Sequence, residues 1–330
     1  MKSTKRFWGL FWLVTAATLS LTVLGCESSS TVSYPTKNIT YICAFGQGGG
    51  ADSIARALAK ATEPHLGKQI EVKNVVGAGG SLGASELAAA KPDGYTVAQQ
   101  QATVVTIQPH VQPLPYSPDS FQIICTTFIQ PYVWVVRSDS PYKTLQDVAA
   151  DAKAKPDGIT FSFTAIGGGG HLAMESLAKH LGISGKLKIV PFDSCAVGVT
   201  QLLGGHLDTA LGHPFDVFKH IEEGRVRPLA TFQAWPGMDK IPGLKTLKEL
   251  GIDYEAQVWS SNVVPKGTPK DAVEKLRVAF EKGKKEKSFI THMENTMTPI
   301  YDKPVDQATA DLKSEFENFG PIVAELGLKK

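Results

Sequence analysis

The pattern that most constrains this fold is a β-strand that runs into a cluster of glycines and then into a helix. In its first copy an apolar run at residues 39–45 is followed by a glycine-rich loop at 46–52, and from Ser53 apolar residues keep helical spacing as far as Gly67. Such a unit directs the backbone N–H groups of the loop toward one point, beside the positive end of the helix dipole. It therefore predicts a cradle for a carboxylate or a phosphate.

Nucleotide binding is disfavoured by the spacing within this loop. Ala51, Asp52 and Ser53 follow the glycines where a P-loop has Gly-Lys-Ser/Thr, so no lysine is placed to reach a phosphate. The loop also lacks the Gly-x-Gly-x-x-Gly order of dinucleotide-binding folds. A carboxylate is the better candidate.

Two further glycine clusters follow strand-like runs and precede helices. One occupies residues 77–83, and the other occupies residues 167–170, directly before His171. The alternation of strands and helices predicts an α/β fold with mostly parallel sheets covered by helices. Since ligands of such sheets bind beyond the carboxyl ends of strands, we expect these turns to face each other across a cleft. The alternative is that the glycines only make tight turns.

The N-terminal segment has the features of a lipoprotein signal. Lys2, Lys5 and Arg6 precede an apolar run, which stops at Gly25 and Cys26. This pattern predicts a signal peptide at residues 1–25, lipidation of Cys26 and a flexible tether at 26–33. The alternative, an uncleaved membrane anchor, is disfavoured because the apolar run barely reaches the ~20 residues needed for a span.

Removing residues 1–25 takes away three positive charges and no acids, so the net charge changes from +2 to about −1. This balance gives no electrostatic basis for nucleic-acid binding. Three cysteines remain after Cys26, namely Cys43, Cys125 and Cys195, an odd number that cannot all pair. The first two lie in apolar strands and are expected to be buried, and no metal-ligand spacing accompanies any of them.

Several motifs recur in the order found in one known family. They are Tyr-Pro-Thr-Lys at 34–37, Phe-Gly-Gln-Gly-Gly-Gly-Ala-Asp at 45–52, Gly-Ala-Gly-Gly at 77–80, Lys-Pro-Asp-Gly-Tyr-Thr at 91–96, Leu-Leu-Gly-Gly-His-Leu-Asp at 202–208, Gly-Arg-Val-Arg-Pro-Leu-Ala at 224–230 and Val-Pro-Lys-Gly-Thr-Pro at 264–269. In this order the chain resembles the substrate-binding proteins of tripartite tricarboxylate transporters, the TctC or Bug family. The resemblance extends over essentially the whole mature chain.

The resemblance implies a two-lobed periplasmic-binding-protein fold of type II, with the ligand cleft between the lobes. Lobe 1 would comprise residues 34–134 and 235–330, and lobe 2 residues 135–234. It also implies a monomer that captures a small carboxylate without catalysis or cofactor and hands it to a membrane permease. The N-terminal signal adds export and the lipid anchor to this expectation. The alternative function is a sensor that uses the same cleft for signalling.

Family members hold a ligand carboxylate largely with backbone N–H groups of the first glycine loop and of the loop before the second-lobe helix. The ligand-binding residues implied by the resemblance are Gly48, Gly49, Gly50 and Asp52 in lobe 1, and Gly167, Gly168, Gly169 and Gly170 in lobe 2. Thr164 precedes the second of these loops and is a further candidate. Gln47, Phe192, Ser194 and His213 are candidates at positions where this sequence departs from the usual family pattern.

Four of the side chains in or near the predicted cleft allow two interpretations. Asp52 either supports the helix start or contacts the ligand through water. Phe192 is a pocket wall or part of the core, and Trp259 lines the cleft or packs beneath it. His213 adds positive charge when protonated, or it is satisfied by backbone at a helix start.

The ligand's chemistry is only partly constrained. No arginine lies in the glycine loops, which argues against a tricarboxylate because three carboxylates in a closed cleft would need cationic partners. Phe192 and Trp259 would favour an apolar or aromatic tail if they face the cleft. A Cys-His nucleophile pair of Cys195 with His171 or His213 is disfavoured, because the resemblance gives these loops a non-catalytic role.

Overall fold

The computed structural model describes residues 34–329. Residues 34–36 belong to a short N-terminal unit, and the fold described below is that of the unit that begins at Lys37. The predicted signal peptide and Cys26 lie outside the described residues. No helix within the described range has both the length and the apolar character needed to cross a bilayer.

The strands of the described chain form two sheets. They are β1 (Ile39–Cys43), β2 (Ile70–Asn74), β3 (Thr96–Gln101), β4 (Phe121–Pro131), β5 (Val133–Arg137), β6 (Ile159–Thr164), β7 (Leu187–Phe192), β8 (Thr209–Gly212), β9 (Val226–Thr231) and β10 (Gln257–Pro265).

Helices cover both sheets. They are α1 (Gly50–Leu66), α2 (Ser81–Ala89), α3 (Ala102–Thr106), α4 (Gln108–Val111), α5 (Leu145–Ala154), α6 (Gly169–Leu181), α7 (Cys195–Leu203), α8 (Pro214–Glu222), α9 (Lys270–Lys285), α10 (Lys287–Asn295) and α11 (Val305–Glu325). Short 3-10 turns occupy Ala78–Gly80, Pro118–Ser120, Met238–Lys240 and Lys248–Leu250.

The two sheets have the same internal plan. The first sheet has the order β2-β1-β3-β10-β4 and the second has the order β7-β6-β8-β5-β9. In each, one strand runs antiparallel to both of its neighbours, β10 in the first sheet and β5 in the second. The other four strands of each sheet therefore point the same way, which makes the sheets mixed but mostly parallel in direction, as predicted.

The chain crosses between the sheets twice. β4 ends at Pro131 in the first sheet and β5 begins at Val133 in the second, and the return lies between β9 and β10. The antiparallel strands β5 and β10 are thus the first strands that the chain forms after it crosses into the other sheet. The sheets confirm the predicted α/β architecture, whereas the lobe boundaries proposed from the sequence stay a prediction.

Helix α1 begins at Gly50, three residues before the predicted start, and ends at Gly67 as predicted. The carboxylate of Asp52 in its first turn accepts the N–H of Gly48 at 2.9 Å, which fixes the loop against the helix start. Gly67 has a φ of 72°, a left-handed conformation that favours glycine and ends the helix.

Trp259 lies on β10 in the core of the first sheet and is only 5% exposed. Its indole Nε1–H donates to Glu315 Oε1 on α11 at 2.7 Å. The indole therefore packs beneath the cleft, and it does not line either chamber of the cavity described below.

We expect Glu315→Gln to stabilise the protein at pH 8. Burial raises the pKa of Glu315 to about 7 from an ordinary value of 4.5, although the Trp259 hydrogen bond opposes this shift. A raised carboxyl pKa means that the folded chain loses stability as the pH rises from about 4.5 through 7. Glutamine keeps the acceptor and removes the charge, so the gain should be about 3 kcal/mol at pH 8 and close to zero at pH 4.5.

Urea unfolding at the two pH values measures this difference. Glu317→Gln, on the exposed side of the same helix, is the matched control and should change little. If the free energy of unfolding depends on pH equally in the wild type and in Glu315→Gln, the raised pKa assigned to Glu315 is wrong.

Candidate functional site

A cavity of about 470 Å³ lies between the two sheets and is called here the outer chamber. Residues that flank both sheets line it, and most of them are apolar or glycine. They are Ala44, Phe45, Val76, Gly77, Ala78, Gly79, Gly80, Gln108, Val111, Gln112, Thr164, Ala165, Ile166, Pro191, Phe192, Asp193 and Val197.

A smaller cavity of about 40 Å³, the inner chamber, adjoins it and shares Phe45 and Thr164 with it. Six of its eleven lining residues have polar side chains, compared with four of seventeen in the outer chamber. The lining of the inner chamber consists of Phe45, Gly49, Gly50, Ala51, Gln101, Gln130, Thr164, Ser194, Cys195, His213 and Asp216. The polar side chains of the cleft are therefore concentrated in the inner chamber, and the large apolar side chains are concentrated in the outer chamber.

Four of the backbone donors predicted to hold the ligand are engaged within their own loops. Gly48 N–H donates to Asp52, and Gly49 N–H donates to the carbonyl of Gly46. In the second loop Gly167 N–H donates to His171 Nδ1 at 3.0 Å, and Gly168 N–H donates to the Ala165 carbonyl at 3.0 Å. These bonds shape the turns, so other groups must face a ligand.

The first turn of α1 supplies those groups. Gly50 and Ala51 line the inner chamber, and as the first residues of a helix their N–H groups have no partner within it. The positive end of the helix dipole lies at the same place and favours an anion. The N-terminus of α1 therefore faces the cavity. The glycine turn before it supports this helix end.

The glycines of the second loop have a different role, since Gly167 to Gly170 line neither chamber. A Cβ added to Gly169 would lie 2.6 Å from the Tyr132 hydroxyl and 2.7 Å from Cγ2 of Thr103 on α3. A Cβ on Gly167 would lie 2.8 Å from Val111 on α4. These glycines allow α6 to approach the helices of the first sheet closely, and they have a packing role that the binding prediction did not include.

Asp52 supports the loop and lines neither chamber. It is 2% exposed and accepts from Arg56 Nε at 3.0 Å and from Asn74 Nδ2 at 2.8 Å, besides Gly48. Burial by itself would raise the pKa of Asp52, but the hydrogen bonds from Arg56, Gly48 and Asn74 lower it overall. Of the two interpretations of Asp52, the geometry favours support of the helix start.

His213 begins α8 with its ring against the inner chamber. Its Nδ1–H donates to the Pro131 carbonyl at 2.9 Å, and its ring lies 4.8 Å from that of Tyr132. Burial lowers the pKa of His213, although Asp216 and the Pro131 bond act in the opposite direction. The imidazole is therefore neutral near pH 7, with Nε2 as an acceptor. This differs from the option in which His213 adds positive charge.

Asp216 is the main site residue that the sequence prediction missed. It lines the inner chamber, and its Oδ2 accepts the His213 N–H at 3.0 Å. Burial raises the pKa of Asp216, and His213 partly counters this effect. The three-residue spacing from His213 was a visible capping signal. Gln101 and Gln130 also line the chamber, and nothing in the sequence distinguished them from other strand residues.

The other predicted side chains divide between the chambers. Phe192, at the end of β7, lines the outer chamber, and Thr164 lines both. Ser194 lines the inner chamber and accepts the Val197 N–H at 3.3 Å, which leaves its hydroxyl hydrogen free to donate. Gln47 is exposed and lines neither chamber.

The three described cysteines are unpaired and buried. Cys195 lines the inner chamber, but burial raises its pKa well above the ordinary value, so it is a thiol rather than a nucleophilic thiolate. Within residues 34–329 no three His, Cys, Asp or Glu side chains are grouped so as to hold a metal ion.

The sequence and the fold match known proteins over most of their length. A family model described as "Tripartite tricarboxylate transporter family receptor" matches residues 54–328. A UPF0065 protein of Agrobacterium vitis is 30% identical over 318 residues, which cover 94% of this chain and 91% of that protein.

Solved structures share the fold. The periplasmic binding protein BugD matches with a TM-score of 0.82 at 27% identity, covering 90% of this chain and 100% of that one. MatC from Rhodopseudomonas palustris with bound malate matches with a TM-score of 0.81 at 22% identity, covering 88% and 100%. The family resemblance and the binding-protein fold are therefore confirmed, and a family of receptors agrees with the expected non-catalytic role. This chain belongs to the receptor family of the tripartite tricarboxylate transporters.

Proposed function

We propose that this protein is an exported receptor that captures a small carboxylate in the cleft and delivers it to a tripartite tricarboxylate-type permease. The observation that carries the proposal is the inner chamber, where the free N–H groups of the first α1 turn and the Ser194 hydroxyl converge. Such donors hold a carboxylate without a basic side chain. The malate bound by MatC, which has the same fold, is a carboxylate of this kind.

The mode of capture that we propose is closure of two lobes, residues 34–134 with 235–330 and residues 135–234. The crossings at β4–β5 and after β9 would serve as the hinge. Lipidation of Cys26 would hold the monomeric receptor at the membrane. Loss of labelled palmitate incorporation in Cys26→Ala tests the anchor separately from binding.

A thermal-shift screen of the purified protein against mono-, di- and tricarboxylates, aromatic acids and amino acids tests carboxylate capture. A ligand at ~100 times its Kd should stabilise the protein by about 2.7 kcal/mol. Uncharged amides of the same compounds are the matched controls and should give no shift. Equal shifts with acids and their amides would contradict a carboxylate receptor.

A further inference from the structure

The charges that line the cleft do not suit a ligand with several carboxylates. The two chambers are lined by two acidic side chains, Asp193 and Asp216, and by no lysine or arginine among the described residues. His213, the one histidine in the lining, is neutral as argued above. A dicarboxylate would bring two negative charges to two others in a partly desolvated space, and that arrangement is unfavourable.

Asp216 instead offers an acceptor on the side of the inner chamber that α8 forms. Only Oδ2 has a donor among the described residues, the His213 N–H, so Oδ1 is left to a ligand. Nε2 of His213 is a second acceptor, because Nδ1–H is held by the Pro131 carbonyl. The chamber therefore combines donors from α1 and Ser194 with acceptors from α8, within about 40 Å³.

The lining of the outer chamber favours an apolar ligand group next to the inner chamber. Phe45 and Phe192 contribute aromatic walls. Val76, Ile166 and Val197 also line it and are 39%, 46% and 43% exposed, which is high for large apolar side chains. They come from both sides of the cleft, so an apolar ligand body would cover them together.

We infer that the ligand is an α-amino acid with an apolar or aromatic side chain. Its carboxylate would accept from the first turn of α1 and from Ser194, and its ammonium would donate to Asp216 and to Nε2 of His213. Its side chain would fill the outer chamber between Phe45 and Phe192. This inference rests on the proposed function, since it assigns the ligand class of the same cleft.

Calorimetry with matched compounds separates the parts of the ligand. The probes are L-phenylalanine and L-leucine, their deaminated forms 3-phenylpropanoate and 4-methylpentanoate, the decarboxylated 2-phenylethylamine, and the dicarboxylates malate and adipate. At least one of the two amino acids should bind at least tenfold more tightly than its deaminated form and than either dicarboxylate. Removal of the carboxylate should weaken binding by at least as much.

Two variants test the role of Asp216. Asp216→Asn keeps the volume and an acceptor for the His213 N–H, so α8 should retain its cap. It should weaken amino-acid binding at least tenfold while leaving binding of the deaminated acid unchanged or tighter. Glu222→Gln is the matched control, because Glu222 is an exposed acid at the far end of α8 and lines neither chamber, and it should change either affinity less than threefold.

The outcomes distinguish this inference from the proposed function. Tighter binding of a dicarboxylate or of a deaminated acid would overturn the amino-acid inference and leave carboxylate capture standing. Equal binding of the amine and the amino acid would overturn carboxylate capture itself. Absence of binding by both amino acids would overturn the inference, and the wider acid screen would then decide the proposed function.

Discussion

Gly169→Ala should weaken ligand binding about 100-fold, a loss of about 2.7 kcal/mol, and its contact with Tyr132 should also destabilise the free protein by about 1–3 kcal/mol. The new Cβ would lie 2.6 Å from the Tyr132 hydroxyl and 2.7 Å from Thr103 Cγ2, both too close for van der Waals contact. Tyr132 is 3% exposed and packs in the core of the second sheet, so it cannot move away at low cost. Relief of the Thr103 contact requires α6 to retreat from α3, which opens the cleft.

The measurement is calorimetry with the tightest acid from the ligand screen, together with the radius of gyration by X-ray scattering with and without that acid. Gly46→Ala is the matched control, because a Cβ there meets no atom within 4 Å. It should bind and close like the wild type. Unchanged affinity in Gly169→Ala would show that this close approach is not needed for closure.

Asp52→Ala should destabilise the protein by about 3 kcal/mol. The carboxylate is 2% exposed and accepts from Gly48 N–H, Asn74 and Arg56. Alanine would leave all three donors without this acceptor. Water could replace it for Arg56, which is 44% exposed, but not for the donors of the packed loop. The glycine loop would lose its fixed conformation, so affinity for the ligand should fall as well.

The pH dependence gives a second readout for Asp52. Its pKa is lowered in the folded protein, so its contribution is present above the ordinary value of 3.8 and is lost as the pH falls through the folded value. Wild-type protein should lose this stability under acid, and Asp52→Ala should not. Asp271→Ala, an exposed acid in the first turn of α9, is the control and should cost well under 1 kcal/mol. A similar loss in both variants would contradict the role assigned to Asp52.

The elements themselves were largely predictable from the sequence. Strand β1, the following glycine loop and the end of α1 at Gly67 are local features, set by apolar spacing and by a left-handed residue. The start of α1 was placed three residues late, because the bond from Gly48 to Asp52 extends the helix in a way that apolar spacing does not reveal. The α/β class followed from the same local patterns.

The site was predictable as a region but not residue by residue. The sequence placed Phe192, Thr164 and Ser194 in the cleft, and each lines a chamber. It did not identify Asp216 or the glutamines on β3 and β4. A side chain faces the cleft only if its strand or helix ends there, and pairing between distant strands decides that.

Local sequence determined the glycine loops, the helix ends and the family to which this chain belongs. Only the tertiary structure decided what each glycine does. Gly50 presents a helix end to the ligand site, whereas Gly169 lets two helices approach, although both follow a strand and begin a helix. The physical reason is that a glycine, which has no side chain, can either expose its N–H to a ligand or let another element pack against it. Which of the two occurs depends on the atoms that the fold brings within 4 Å of that position.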